Sequence, residues 1–253
     1  MNDVIRTLMN HRSYRQYADK PVPERVLDSV LRAVQAAPSW IHGQQVSVVV
    51  IRDEARKQEM ARLSGNQAHV ASAPVFLVFC ADFQRAFAAS EIEGGSFAAI
   101  EDVDVLLVGA TDVGIGMGNA IAAAESLGLG IIPIGGIRRS MLEVARFLEL
   151  PSYVIPIAGL CLGYPSEKPD QKPRLPIELV RHEETYSSDD LSSRLREYNA
   201  AYRSFLAAQG MPETDWTKRV ADFYAGSHYN GGYPDVAKTL KQQGFIAKDM
   251  RET

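Results

Sequence analysis

The sequence predicts an α+β protein built as a three-layer α/β/α sandwich, in which short buried strands alternate irregularly with longer helices. One observation is a set of short runs rich in β-branched and aromatic residues, at 45–53, at 73–82, in "IIPI" and in "YVIPIAGLCLGYP", which are typical of buried strands. Another is the helical periodicity between these runs, with no internal repeat or low-complexity tract. Helices are therefore expected on both sides of a sheet.

Composition limits the classes of function. The 253 residues are 46% hydrophobic and 23% charged, which suits one large globular domain or two small ones. A net charge of −4 argues against a general nucleic-acid or anionic-membrane binder. The start of the chain lacks the apolar core of a signal peptide, and no uninterrupted run of about eighteen apolar residues occurs. We expect a cytoplasmic protein without membrane or nucleic-acid partners.

The two cysteines, Cys80 and Cys161, lie inside apolar runs without the spacing of a metal site. They are predicted to be buried thiols in a reducing compartment, and no metal is expected.

The first elements are two helices separated by a cationic segment. Residues 3–10 carry apolar side chains at helical spacing, and the stretch "PVPERVLDSVLRAVQAAPS" predicts an amphipathic helix that prolines begin and Pro38 closes. The segment "HRSYRQY", 11–17, lies between them and concentrates His11, Arg12 and Arg15 in an acidic chain. Such a local cluster indicates local chemistry with an anion.

The segment 103–128 predicts a long helix that is apolar on almost every side. A helix of this kind is buried all round, either at the centre of a large core or at the seam of a dimer. After Pro176 the composition becomes polar. We therefore predict a single domain over 1–253, with a core to about residue 180 and a helical C-terminal extension over about 181–253.

Common nucleotide and hydrolase motifs are absent from the sequence. "GIGMGN", 114–119, lies within a helical run and does not follow a strand, so helix packing is favoured over a dinucleotide fingerprint. No GxxxxGK[ST], HExxH or GxSxG occurs. Three pieces remain: "HRSYR", the glycine pair Gly135 and Gly136, and "QKPRLP". Each alone is explained by surface charge or a plain turn, but together they describe a pocket for a ligand with a phosphate and a large aromatic plane.

These motifs carry a resemblance to a known family. "HRSYRQY", "SGNQAHV", "AAESLGLG", "IGGIRRS", "GLCLGYPSEKPDQKPRLP" and the following "ETY" resemble the flavin-dependent nitroreductase family, in its oxygen-insensitive NADPH-flavin oxidoreductase branch. The resemblance implies a mostly antiparallel sheet and an obligate homodimer with FMN at two interface sites. It also implies a ping-pong cycle from NAD(P)H through FMN to small aromatic acceptors such as nitroaromatics, quinones or free flavin.

The resemblance also implies roles for particular residues. The guanidinium and ammonium groups of Arg12, Arg15, Lys172 and Arg174 would hold the FMN phosphate and the N1–O2 edge of the ring, with His11 and Ser13 supporting the phosphate and ribityl chain. Gln67 would reach the pyrimidine side, and Ile134, Gly135 and Gly136 would lie along the dimethylbenzene and N5 region. Ser39 would come from the partner subunit. No catalytic side chain is expected, because the flavin carries the chemistry.

Two departures from the branch bear on specificity. Trp40 and Ile41 stand where the branch has small hydroxyl residues at the edge of the flavin. The loop 207–215 carries Glu213 and Asp215 and no arginine, where the branch grips the 2′-phosphate of NADPH. Weak discrimination between the two nicotinamides, or a preference for NADH, is therefore expected, although Arg203, Lys218 and Arg219 are near enough in sequence to compensate.

Two other functions are compatible with the same sequence motifs. One is a flavin- or phosphate-binding sensor or carrier without redox turnover. The other is a dehalogenating or flavin-cleaving member of the same fold.

Overall fold

The structure is a computed structural model that describes residues 1–226 and 232–251. The chain forms two compact units, one made of Met1–Pro169 together with the segment from Tyr233 onward, the other of Asp170–Gly232. The helices, in chain order, are α1 Asp3–Met9, α2 Glu24–Gln35, α3 Glu54–Leu63, α4 Ala68–Ser72, α5 Gln84–Glu93, α6 Asp104–Ser126, α7 Met141–Phe147, α8 Leu191–Ala208, α9 Trp216–Tyr224 and α10 Val236–Gln242. The single-domain organisation with a C-terminal extension stays a prediction.

A four-stranded sheet lies at the centre of the first unit. Its strands are β1 Val46–Ile51, β2 Val75–Asp82, β3 Gly130–Ile134 and β4 Val154–Gly163. Their order is β1-β2-β4-β3, and all three pairings are antiparallel. The strands expected from the apolar runs and the antiparallel sheet implied by the resemblance are confirmed.

Side chains that alternate along β2 explain the layers. Val75, Leu77 and Phe79 pack in a core that α2, α6 and α10 cover, whereas Phe76 and Val78 pack in a second core that α3, α4 and α7 cover. Successive residues of a strand point to opposite faces, so a strand that is buried throughout needs helices on both sides. The three-layer sandwich is confirmed.

An irregularity in β4 ties the sheet to the turn that follows β3. The register with β2 shifts between Phe79 and Cys80, so that β4 accommodates one extra residue, Ile157. Such a bulge also explains how Pro156 is tolerated in a central strand. The carbonyl of Ile157 accepts a hydrogen bond from Arg138 Nη1 at 2.7 Å. Arg138 belongs to the 3-10 turn Gly135–Ser140, which this contact holds against the sheet.

Helix α6 is buried on one face only. Val113, Met117, Ala120 and Ala124 pack in the first core, whereas Leu107 is 63% exposed on the opposite face. By length and composition alone, α6 is the one helix among the described residues that could cross a bilayer. The core helix of a globular protein can be equally long and apolar, and the packed face of α6 is of that kind.

The second unit is built on α8 and α9. Tyr198, Tyr202 and Leu206 form its small core with Trp216 packed against them. The buried Asn199 fixes the start of α9, because its side chain donates to Thr217 Oγ1 at 2.9 Å and accepts from the Thr217 N–H at 3.1 Å. The helical character expected after Pro176 is present in this unit.

Candidate functional site

The cationic segment 11–17 runs in extended form beside β3. The Tyr14 N–H donates to the carbonyl of Ile131 at 2.9 Å, and Ser13 forms an isolated parallel bridge with Ile131. Gly130 permits this approach, since a Cβ there would lie 2.7 Å from the Tyr14 ring. Side chains of the segment are thus held at the edge of the sheet.

His11 and Arg12 have different surroundings. The Nδ1 atom of His11 lies 2.7 Å from Glu125 Oε1, near the end of α6. The Arg12 Nη1 atom donates to the carbonyl and to the side-chain oxygen of Asn10, at 2.8 and 2.5 Å. The Nε atom of Arg12 is buried without a partner among the described residues. A buried donor of this kind calls for an acceptor.

Arg15 is exposed and forms no ion pair with any residue in the described ranges. Its charge acts on two neighbours. Burial first, and then the Arg15 charge, lower the pKa of His69 on α4. Burial raises the pKa of Tyr17, and the Arg15 charge opposes that rise. Arg15 is therefore an exposed positive charge near His69 and Tyr17, and no carboxylate of the described residues forms an ion pair with it.

Gln67 and Gly136 lie against each other. The Gln67 side-chain amide donates to the Ser64 carbonyl at 2.7 Å. A Cβ on Gly136 would lie 2.3 Å from that amide nitrogen and 2.4 Å from the same carbonyl, so only glycine fits. The structure thus brings together two predicted site residues that are far apart in sequence.

The other two predicted site residues near the end of β3 are placed differently. Gly135 is exposed at the start of the turn. Ile134 is buried in the second core at 1% exposure, so only its backbone can reach a ligand.

Ser39 belongs to a strained turn. Its Oγ accepts from the Gln44 N–H at 2.9 Å, and Ile41, His42 and Gln44 all have positive φ. Trp40 is 61% exposed and Ile41 82% exposed. A β-branched residue with positive φ is an outlier that surrounding contacts must hold, and such strain is common at functional sites.

A buried carboxylate supports this turn. Asp112, in the middle of α6, accepts from the Trp40 N–H at 3.1 Å, and its second oxygen has no partner within the described ranges. The sequence alone does not assign a role to Asp112 or Glu125, although both interrupt the apolar helix.

Lys172 and Arg174 lie in the second unit, in the extended segment before α8. The Tyr198 hydroxyl donates to the carbonyl of Pro173 at 2.9 Å and fixes this segment to α8. Burial raises the pKa of Tyr198, and the charge of Arg174 opposes it. Both cations are exposed.

The first unit has features that a phosphorylated flavin requires. The exposed guanidinium of Arg15 and the unpartnered buried Nε of Arg12 suit a phosphate. The backbone at Gly136, which has no side chain and lies beside the Gln67 amide, suits a flat ring with a polar edge. The residues present therefore fit FMN.

Comparison with known proteins agrees with this fit. Residues 8–164 match the nitroreductase family and residues 172–248 match the C-terminal domain of that family. An FMN reductase [NAD(P)H] of Bacillus subtilis is 42% identical, with 97% of this chain and 98% of the relative covered. An oxygen-insensitive NADPH nitroreductase of Salmonella typhimurium is 41% identical, with 98% and 100% covered.

A solved structure, NfrA2 of B. megaterium, superposes with a TM-score of 0.93 at 43% identity, over 97% of this chain and 98% of that one. The matched regions and the shared fold define the class of protein: the chain belongs to the nitroreductase family. The resemblance found in the sequence is confirmed.

Proposed function

We propose that this chain is an FMN-dependent NAD(P)H oxidoreductase, which passes hydride from reduced nicotinamide to nitroaromatic, quinone or flavin acceptors in a ping-pong cycle. The observation that carries the proposal is the juxtaposition of the Gln67 amide and Gly136 in a unit that also holds the exposed guanidinium of Arg15. The names of the two relatives, a flavin reductase and a nitroreductase, support it.

The residues of the first unit bind and orient the cofactor. Arg12 and Arg15 compensate the charge of the phosphate and of the reduced ring, and His11 and Ser13 assist at the phosphate and ribityl chain. Gln67 offers an amide to the pyrimidine edge, and Gly135 and Gly136 let the backbone approach the N5 side closely. Bound FMN supplies the hydride-accepting and hydride-donating chemistry. The roles of Lys172 and Arg174 at the phosphate, and of Ser39 in the partner site, remain predictions.

A homodimer is the second part of the proposal. Along α6, Leu107, Ala110, Thr111, Gly114, Ile115 and Gly118 form a mostly apolar stripe that is exposed in the single chain. We call these six residues the α6 stripe. A long apolar stripe with glycines, which permit close approach, fits a second copy of the chain better than water. A cytoplasmic location is proposed as well.

A purified sample tests the function. The protein is expected to be yellow, to lose its colour with NADH or NADPH without oxygen, and to regain it when a quinone is added. A yellow protein that neither nicotinamide bleaches would instead support a flavin-binding sensor or carrier. A colourless protein that does not take up added FMN would refute both.

A further inference from the structure

Glu125 is a buried carboxylate in the last turn of α6. Its side chain is 9% exposed, one oxygen lies 2.7 Å from His11 Nδ1, and the other is buried without a partner in the described part of the chain. Burial of an ionised carboxylate is costly unless a cation or hydrogen bonds compensate it. The imidazole of His11 is the compensating group shown here.

The contact determines which ring nitrogen of His11 faces Glu125. An ionised carboxylate can only accept hydrogen bonds, so Nδ1 must carry a proton when it bonds to Glu125. The other ring nitrogen, Nε2, is then directed to the opposite side of the ring. In the imidazolium form both ring nitrogens donate.

His11 adjoins Arg12, whose buried Nε calls for an acceptor, and it lies four residues from the exposed Arg15. A neutral imidazole would leave the charge of Glu125 close to a bound phosphate, which is repulsive. An imidazolium cancels that charge and adds a donor. The pair therefore suits a phosphate only as an ion pair.

We propose that Glu125 is a positioning residue for the cofactor phosphate: it orients His11 and balances the charge of its imidazolium form, so that the Nε2–H donates to a phosphate oxygen. This inference rests on the proposed FMN function. The competing explanation is a structural tie, in which the pair only fastens the segment after α1 to α6.

Riboflavin, which lacks the phosphate, separates the two explanations. In Glu125→Gln the shape and one accepting oxygen remain while the charge is lost. Dissociation constants of the apoprotein for FMN and for riboflavin are measured by quenching of flavin fluorescence. We expect the value for FMN to rise about tenfold, equivalent to roughly 1.4 kcal/mol, and the value for riboflavin to stay unchanged.

A double-mutant cycle links the effect to His11. His11→Gln should raise the dissociation constant for FMN to a similar extent, and the double variant should bind FMN no more weakly than either single variant. If Glu125→Gln does not fold, Glu125→Asp, which withdraws the carboxylate from His11 by one methylene, must give the same selective loss.

Asp82→Asn is the matched control, because Asp82 is a buried carboxylate of the same unit that accepts from Ser47 Oγ at 2.5 Å. This variant should lower the melting temperature without changing the ratio of the two dissociation constants. Equal weakening of FMN and riboflavin in Glu125→Gln, no change in either, or additive effects in the cycle would each overturn the inference. Failure of the wild-type protein to bind FMN would refute the proposed function itself.

Discussion

The guanidinium of Arg15 is exposed, and no carboxylate in the described ranges pairs with it. Replacing it by alanine should weaken FMN binding by about 2 kcal/mol, roughly thirtyfold, because a charge-assisted contact to the phosphate is lost. Titration of the apoprotein measures the change. Arg52→Ala removes a guanidinium that pairs with Glu24 and should leave the affinity unaltered. Unchanged FMN affinity in Arg15→Ala would show that the phosphate lies elsewhere.

His69 should make the stability of the fold depend on pH. Its pKa is lowered from the usual 6.5 by burial and by the charge of Arg15, so the unfolded chain binds this proton more readily than the folded one. Its contribution to stability is therefore complete above about pH 6.5 and is lost as the pH falls from there through the folded pKa.

The free energy of unfolding, measured by chemical denaturation at a series of pH values, should change less with pH over this window in His69→Gln than in the wild type. In Arg15→Ala the pKa of His69, followed by NMR, should rise toward the usual value. An unchanged resonance midpoint would mean that the Arg15 charge does not reach His69.

At the scale of the helix, the α6 stripe makes a prediction about assembly. A Cβ added at Gly114 meets no atom within 4 Å in the single chain, so a larger side chain is sterically allowed there. In a dimer packed on this stripe, Gly114→Leu would keep the two copies apart. Sedimentation should then show monomers with retained helix content.

Ala88→Leu, at an exposed position of α5, adds a similar apolar side chain away from the stripe and should remain dimeric. A dimeric Gly114→Leu variant would place the interface on another surface. Loss of helix content would instead indicate that the variant disturbs the subunit itself.

The sequence predicts the elements more completely than their surroundings. Alternation and β-branched runs locate all four described strands, because local burial leaves a local pattern. The long apolar helix is also predicted, but whether a core or a second copy covers each side depends on partners that periodicity does not encode. The bulge at Ile157 is likewise invisible in the sequence, since it depends on a register between two strands.

The same limit applies to the candidate site. The cationic segment and the glycine pair are recognisable from residue types and spacing. The contact of Gln67 with Gly136 and that of His11 with Glu125 join residues far apart in sequence, so only the fold reveals them.

For the enzyme as a whole, the second unit bears on the choice of nicotinamide. Each of the three cations that could replace the missing arginines is already engaged: Arg203 pairs with Asp215, Lys218 with Asp222 at 2.9 Å, and Arg219 donates to the Tyr202 hydroxyl at 3.0 Å. Recognition of a 2′-phosphate usually needs a guanidinium available to it. We expect kcat/KM for NADPH to exceed that for NADH by less than about tenfold.

Asp215→Asn should release Arg203 and raise the ratio of kcat/KM for NADPH to that for NADH several-fold. Glu197→Gln, on the exposed side of α8, serves as the control and should leave the ratio unchanged. A wild-type preference for NADPH well above tenfold would show that other cations have taken this role.

The two thiols of the chain lie in β2 and β4, which adjoin each other in the sheet. Burial raises the pKa of Cys80 to about 12 and raises that of Cys161 as well, so neither forms the reactive thiolate at neutral pH while the fold is intact. A thiol-specific reagent can therefore modify them only when the sheet opens. The rate at which the two native thiols are labelled therefore measures how often the sheet opens. Comparing this rate with and without FMN would show how much the cofactor slows the opening. A single cysteine introduced on the surface would also be labelled selectively, without first removing these two.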